Sequence, residues 1–439
     1  MLGQEMPASE APAPARYIKP QSSTTRSEQF LLFAAITICP LQNQIPTVAG
    51  MSIMFLIYGS LTTYIILNRL RSLERIWYHP VFLSAFAFIG VSALLEFSSP
   101  LSSYEDILRF GNMIAGMVCV AVLCRDRSAL AAGLYGYIAA ALWVSIYLWL
   151  TSYGVMHEMG GAENFHQASK IRASAFSEMG LQANINSLAF TCTQGAVVAF
   201  AMALAGRSKH RRIVMLGIAT FCLVASFLPM SRGAAVSSFV SIGAILYAIG
   251  AKHGKTLILV SILGLGIYML VPDAVWSRMT YSTVSASGKL EGRAWIYTTA
   301  LNRLPEYFVA GVGSGNFKNR WGFEKGFARE YQGSLTVYGA HNIFLQITIL
   351  WGVGGLLMYL LITWCAYRSI PLRCGRDELS LAMLGIIVSL GLYLFLTHGL
   401  YEKPFAFGVG ILVGARQWIW PTGIVSAVGE NQGRPRVQI

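Results

Sequence analysis

The 439-residue chain is poor in charge: Asp, Glu, Lys and Arg make up 12% of it, against 55% hydrophobic residues, and its mean hydropathy is +0.54. A soluble domain carries about 25% charged residues, so this scarcity excludes an ordinary water-soluble fold. Cysteine is sparse too. The seven (Cys39, Cys119, Cys124, Cys192, Cys222, Cys365 and Cys374) lie in apolar runs or near their charged ends, and none falls in the longest polar loop, which argues against a disulfide framework. Metal-ligand spacing is missing as well. His157 and His166 stand nine apart without partner ligands and the pair Glu105-Asp106 stands alone, so all four read as loop polar residues.

What the chain has instead is apolar length. A bilayer core about 30 Å thick takes roughly 20 apolar residues per helical span, and such runs recur between short charged loops. Twelve candidate spans follow: 28–42, 47–68, 80–99, 105–124, 128–152, 181–205, 212–229, 233–250, 256–272, 342–366, 379–398 and 404–420. The first is short and broken by "CPLQNQIP", so the first two can also form one interrupted hairpin. The expectation is an all-α polytopic membrane protein of about 12 helices with one large loop before the tenth. Residues 1–27 read as a disordered tail rather than a cleaved signal peptide, 28–272 as nine spans, 273–341 as the loop with amphipathic helices, 342–420 as three spans and 421–439 as a second tail.

Basic residues give the orientation. Arg16, Lys19 and Arg26 begin a series of 20 that continues through Arg69–Arg75, Arg125–Arg127, Arg207–Arg212, Lys252–Lys255, Arg368–Arg376 and Arg416 to Arg436, always on one side of the expected spans. That side is expected to be the cytoplasm, with both termini in it. The net charge of +13 is then largely a topology signal that needs no nucleic-acid partner. The other 13 basic residues, among them Arg172, Arg232, Arg293 and Lys403, fall on the opposite side and need another reason.

In "FLPMSRGAAVSSF", Pro229 ends one span and Ser231 can cap the next, which places Arg232 in a first turn whose free N–H groups suit an anion. For Arg232 alone, a snorkelling helix-end arginine is an equal alternative. Arg293 opens "GRAWIYTTALNRLPEYF", where Trp295, Ile296, Leu301 and Leu304 make an amphipathic helix lying on the membrane; Arg303 and Lys289 read as solvated charge. Arg172 precedes a span, and His341 stands at the lip of span ten, where the bland alternative is a helix cap. Parity puts these four on one side: two spans separate Arg172 from Arg232, two more separate Arg232 from Arg293, and none separates Arg293 from His341. Arginine forks match phosphate oxygens, and a neutral imidazole can take a proton near pH 7, an inventory suited to pyrophosphate and a hydroxyl nucleophile. "GVGSGNF" (311–317) lacks the Lys-Ser/Thr of a P-loop and reads as a tight turn folding the loop back onto the membrane.

In order, "SRG" at a helix start, "GR" with Trp295 two residues on, "GVGSGNF", then "HN" followed by "FLQ" and "WG", the segment 229–356 resembles the O-antigen ligase and polymerase superfamily. Upstream, "RASAFSEMGLQANINSLAF" is similar to that family's arginine-bearing segment, with "QAN" where Pro-Asn is more usual. The resemblance implies a GT-C type, inverting glycosyltransferase of the inner membrane, needing neither metal nor cofactor, with its site on the periplasmic side. Its donor would be a glycan on undecaprenyl pyrophosphate and its acceptor lipid A-core. Arg232, Arg293 and Arg172 would hold the pyrophosphate and His341 would activate the acceptor hydroxyl, with Asn342, Trp295, Ser231 and Lys403 in support. His398, a second lip histidine outside that motif set, reads as a structural or acceptor-side residue, and Glu402 and Lys403 beside it could touch a sugar. A polymerase joining lipid-linked repeats, a protein O-glycosylating relative and a transporter of anionic or lipid-linked solutes stay open beside the ligase.

Overall fold

Backbone groups in an apolar run have no water to bond to and must close their hydrogen bonds locally, and the described runs are helical. The computed structural model describes residues 24–41, 53–158, 160–161, 167, 171–172, 176, 185–206, 208–250, 264–265, 267–280, 292–331, 334–370, 377–396 and 403–419. Its main elements are α1 (Arg26–Ile38), α2 (Ile53–Asn68), α3 (Leu70–Trp77), α4 (Pro80–Phe97), α5 (Glu105–Leu123), α6 (Arg127–Leu148), α7 (Ile185–Ala205), α8 (Lys209–Phe227), α9 (Arg232–Ala248), α10 (Asp273–Thr280) and α11 (Gly292–Asn302). A hairpin follows, β1 (Ala328–Tyr331) with β2 (Ser334–Val337), then α12 (Ile343–Arg368), α13 (Glu378–Leu396) and α14 (Lys403–Trp418).

This is an all-α membrane protein architecture. Among the described residues, seven helices are long and apolar enough to cross a bilayer: α4, α5, α6 with its continuation to Glu158, α7, α8, α12 and α13. Helix α1 has 13 residues, about 20 Å at 1.5 Å per residue, before Pro40 turns the chain into a 3-10 turn, Cys39–Leu41. Each of the twelve expected runs carries helix where it is described, 256–272 only at 264–265 and 267–270, since most of that run lies outside the described residues, as do 1–23 and 420–439.

Two expectations change. The charged connector after α2 is itself a helix, α3, whose Ile76 is buried while Arg71, Glu74 and Arg75 are exposed. The large loop holds more than amphipathic helices: "AREY" and "SLTV" pair antiparallel, Ala328 opposite Val337 and Tyr331 opposite Ser334.

Helix α7 is the centre of the bundle, packed against α6, α8, α9 and α13, while α4 packs on α12, α1 on α6, and α14 on α5. Lipid tails are as apolar as leucine, so close backbone approach and polar contacts, more than hydrophobic burial, set these pairings. A Cβ on Gly195 would overlap Ala141 of α6. The hydroxyls of Thr193 and Ser238 meet at 2.9 Å across α7 and α9, and Ser237 reaches Ser389 of α13 at 3.2 Å.

One end of the bundle is basic and ion-paired. Glu28, fully buried, meets Arg69 at 2.5 Å and Arg125 at 3.0 Å; Arg127 meets Asp377 at 2.6 Å and Arg211 meets Glu378 at 2.9 Å. These contacts gather the starts of α1, α6, α8 and α13 with the end of α2 on one side, so the starts of α7, α9, α12 and α14 lie at the other.

At that other end α12 is broken. Trp351 and Gly352 leave helical geometry, Gly352 with φ +61°. The carbonyls of Ile349 and Leu350, which lose their helical donors there, accept the N–H groups of Val312 and Gly313, both at 2.9 Å, and Val353 N–H donates to Phe308 O at 2.6 Å. Gly311 and Gly313, at φ +74° and +79°, make the turn, and a Cβ on Gly311 would overlap the Leu350 carbonyl. "GVGSGNF" is therefore the tight turn expected of it, docked on a helix break that the sequence did not announce.

Candidate functional site

Ser231 is the N-cap of α9, its hydroxyl accepting from Ala234 N–H at 3.4 Å, and Arg232 is the first helical residue, as the "PMSRG" order predicts. Arg172 comes to the same corner: its Nε donates to Pro229 O at 2.8 Å and a terminal nitrogen donates to Asn186 Oδ1 at 3.0 Å. The next residue, Gly233, lacks the Cβ that would press on Leu396 at 3.2 Å, and this lets the start of α9 abut the end of α13.

The start of α12 reaches that same end of α13. Asn342 caps α12 through its Oδ1, which accepts Leu345 N–H at 3.0 Å, and its Nδ2 donates to Phe395 O at 3.2 Å. The cap is thus Asn342, and the reading of His341 as a mere helix cap is corrected. His341 precedes it, half-buried, with φ +51°. Met230 stands in the same relation to Ser231, with φ +53°. Among the described residues these two alone, apart from glycine, have positive φ, and each lies one place before a cap at this end of the bundle. A left-handed non-glycine residue costs on the order of 1–3 kcal/mol, so both corners are held by their surroundings. At His341 two neighbours do this. Ala340 N–H donates to Gln346 Oε1 at 2.7 Å, and the Tyr297 hydroxyl donates to His341 O at 3.4 Å.

Tyr297 is one helical turn beyond Arg293 on α11, whose Ile296 and Ala300 are buried. Burial pushes the Arg293 guanidinium below its ordinary pKa, with Tyr297 acting the other way. Trp295 is half-buried, packs edge-on against Tyr338 at 6.3 Å and carries Arg329 3.8 Å above its ring. The structure therefore joins the four predicted residues by a run of contacts: Arg172 to Pro229, Gly233 to Leu396, Phe395 to Asn342, and His341 to Tyr297 on Arg293's helix.

The loop cations divide sharply. Arg303 and Lys325 share Glu306 at 3.0 and 2.9 Å, Lys318 meets Asp106 at 2.6 Å and Arg320 meets Glu324 at 3.0 Å. Arg293 has no carboxylate partner among the described residues. A desolvated guanidinium without one is costly unless an anion comes to it.

Lys403 begins α14 at this end, and its side chain lies outside the described residues, as do His398 and Glu402. Three contributors were not legible beforehand. Tyr297 had only its i+4 spacing from Arg293 to signal it, Asn186 had no signal, and Glu96 had one, being a lone acid at the end of an apolar run. Glu96 is fully buried, and its carboxyl group accepts from Ser103, Ser314 and Gly315 N–H at 2.8, 2.8 and 3.2 Å and from Trp351 Nε1 at 3.1 Å. It ties the 311–317 turn to α4 and the α12 break, setting the loop over the bundle. No family model matches the chain, and no curated protein matches it.

Proposed function

We propose that the chain is a membrane glycosyltransferase of the GT-C type that uses a lipid-pyrophosphate-linked glycan as donor, most specifically an O-antigen ligase. The observation that carries this reading is Arg293: half-buried, without a carboxylate among the described residues, and joined through Tyr297 to the backbone of His341. A pyrophosphate fits such a guanidinium, with Arg232 and Arg172 completing its charge. In this reading His341 takes the proton from an acceptor sugar hydroxyl, whose oxygen attacks the anomeric carbon from the face opposite the leaving group. The bond from that carbon to the pyrophosphate oxygen breaks, and undecaprenyl pyrophosphate leaves with the electron pair, neutralised by the arginines. Asn342, Ser231 and Trp295 position the three cationic corners, and Lys403 is proposed on the acceptor side. The active site faces the periplasm of a bacterial inner membrane, both termini face the cytoplasm, and lipid A-core is the acceptor.

The test is transfer in proteoliposomes holding purified protein, a defined undecaprenyl-pyrophosphate glycan and EDTA, with lipid A-core added or withheld. Product is expected only with lipid A-core. Glycan that lengthens on its own carrier without acceptor reassigns the chain to the polymerase class. Absence of both products, with donor export observed, favours the transporter.

A further inference from the structure

At the basic end of the bundle, opposite His341 and Arg293, the start of α4 and the last turns of α12 and α14 enclose a cavity of about 720 Å³. His79, Arg368 and Arg416 line it, with Ser369, Gln417 and the Trp364 indole, and among the described residues none that lines it is acidic. Its cationic and imidazole groups, Arg368, Arg416 and His79, are the ones that suit an anion. His79 Nδ1 accepts Val81 N–H at 3.3 Å, which leaves Nε2 to carry the proton of the neutral ring. Burial, and then Arg416 nearby, hold that imidazole at about 4, so at neutral pH it is an uncharged donor. Arg368 lies 5.7 Å from the Trp364 ring, and Arg75 of α3 lies 5.9 Å from the Trp418 ring at the end of α14.

The flank of the cavity is apolar. Leu357, Leu360, Leu361 and Trp364 are exposed along the last turns of α12 leading up to Arg368. A soluble anion has no use for such a ramp, whereas acyl chains do, and basic pockets between membrane helices on the positively charged side suit acidic headgroups. We propose that this cavity binds the phosphate of an anionic membrane lipid, held by Arg368 and Arg416, with its acyl chains along the exposed flank of α12. The site is independent of the transferase reading and would be occupied by a lipid of the leaflet facing the basic end.

The test is native mass spectrometry of the purified protein with phosphatidylglycerol or phosphatidylcholine, together with thermal unfolding in detergent with either lipid or inorganic phosphate. Phosphatidylglycerol is expected to be retained and to raise the Tm, and phosphatidylcholine to do neither. Retention should fall at least tenfold in Arg368→Gln/Arg416→Gln and by less in each single variant, which keeps one fork; Arg368→Lys/Arg416→Lys, with charge but no fork, should fall between. Equal retention of phosphatidylglycerol by wild type and the glutamine variants, or equal retention of both lipids by wild type, overturns the site. A Tm rise with inorganic phosphate that phosphatidylglycerol does not exceed overturns the lipid and leaves a soluble phosphate ligand.

Discussion

The indole Nε1 of Trp351 donates to the buried Glu96 carboxyl at 3.1 Å, tying the break in α12 to the end of α4. The same carboxyl accepts three backbone N–H groups, two of them from the 311–317 turn. Glu96→Ala leaves three buried donors and the half-buried Ser103 N–H without an acceptor, at about 1–3 kcal/mol for each buried one before relaxation. The expected result is a fall in Tm much larger than for the exposed Arg320→Ala, with the 311–317 turn newly open to proteolysis. Glu96→Gln should recover little, because its NH₂ would face donors.

Gly352 sits at φ +61°, and a Cβ there would overlap the Val309 carbonyl. Gly352→Ala therefore meets both a left-handed backbone penalty, about 1–2 kcal/mol, and a clash with backbone that cannot swing aside. Thermal unfolding should show a clear loss for this variant, with none for Gly264→Ala, whose added methyl meets nothing within 4 Å.

At His341, backbone and chemistry can be separated. Asparagine tolerates φ +51° better than other non-glycine residues, so His341→Asn should keep the Tm near wild type while removing the base. Transfer in proteoliposomes is expected to fall by about 10²–10⁴. Wild-type turnover in His341→Asn would remove the histidine from the proposed mechanism.

Arg293 should show opposite effects on stability and activity. With no carboxylate partner among the described residues and its charge disfavoured by burial, Arg293→Met is expected to hold or raise the Tm while transfer is lost. Arg293→Lys keeps the charge but not the fork, and a charge-assisted bond of about 1.5–3 kcal/mol corresponds to roughly 10- to 100-fold in rate. Arg303→Lys, on a residue paired with Glu306, is the control and should leave transfer unchanged.

Glu28 anchors the other end, buried between Arg69 and Arg125. Glu28→Gln leaves two desolvated guanidinium groups, and breaking a buried pair of this kind costs about 3–5 kcal/mol. The Tm should drop steeply, and Arg69→Met added to Glu28→Gln should restore part of it.

Much of the helical layout was legible because the bilayer requirement is one-dimensional: roughly 20 apolar residues in a row mark a span whatever surrounds them. The Ser231 cap and the Arg232 first turn were legible for a similar reason, since a cap is written within four residues. The hairpin at 328–337 was not, because short strands carry little periodic signal. Tyr297 and Glu96 were hidden because each acts on a partner far along the chain, His341 O and the 311–317 turn.

By itself, then, the sequence determined that the chain is an apolar helical membrane protein, which end of the bundle gathers positive charge, and which residue types could meet an anion. Tertiary structure alone decided which loop cations meet a carboxylate, where α12 breaks and what satisfies its freed carbonyls, and that Met230 and His341 share a left-handed turn before their caps. The physical reason is that hydropathy and capping act over one or a few turns of chain, whereas ion pairing, desolvation and backbone strain depend on neighbours that folding brings together from distant segments.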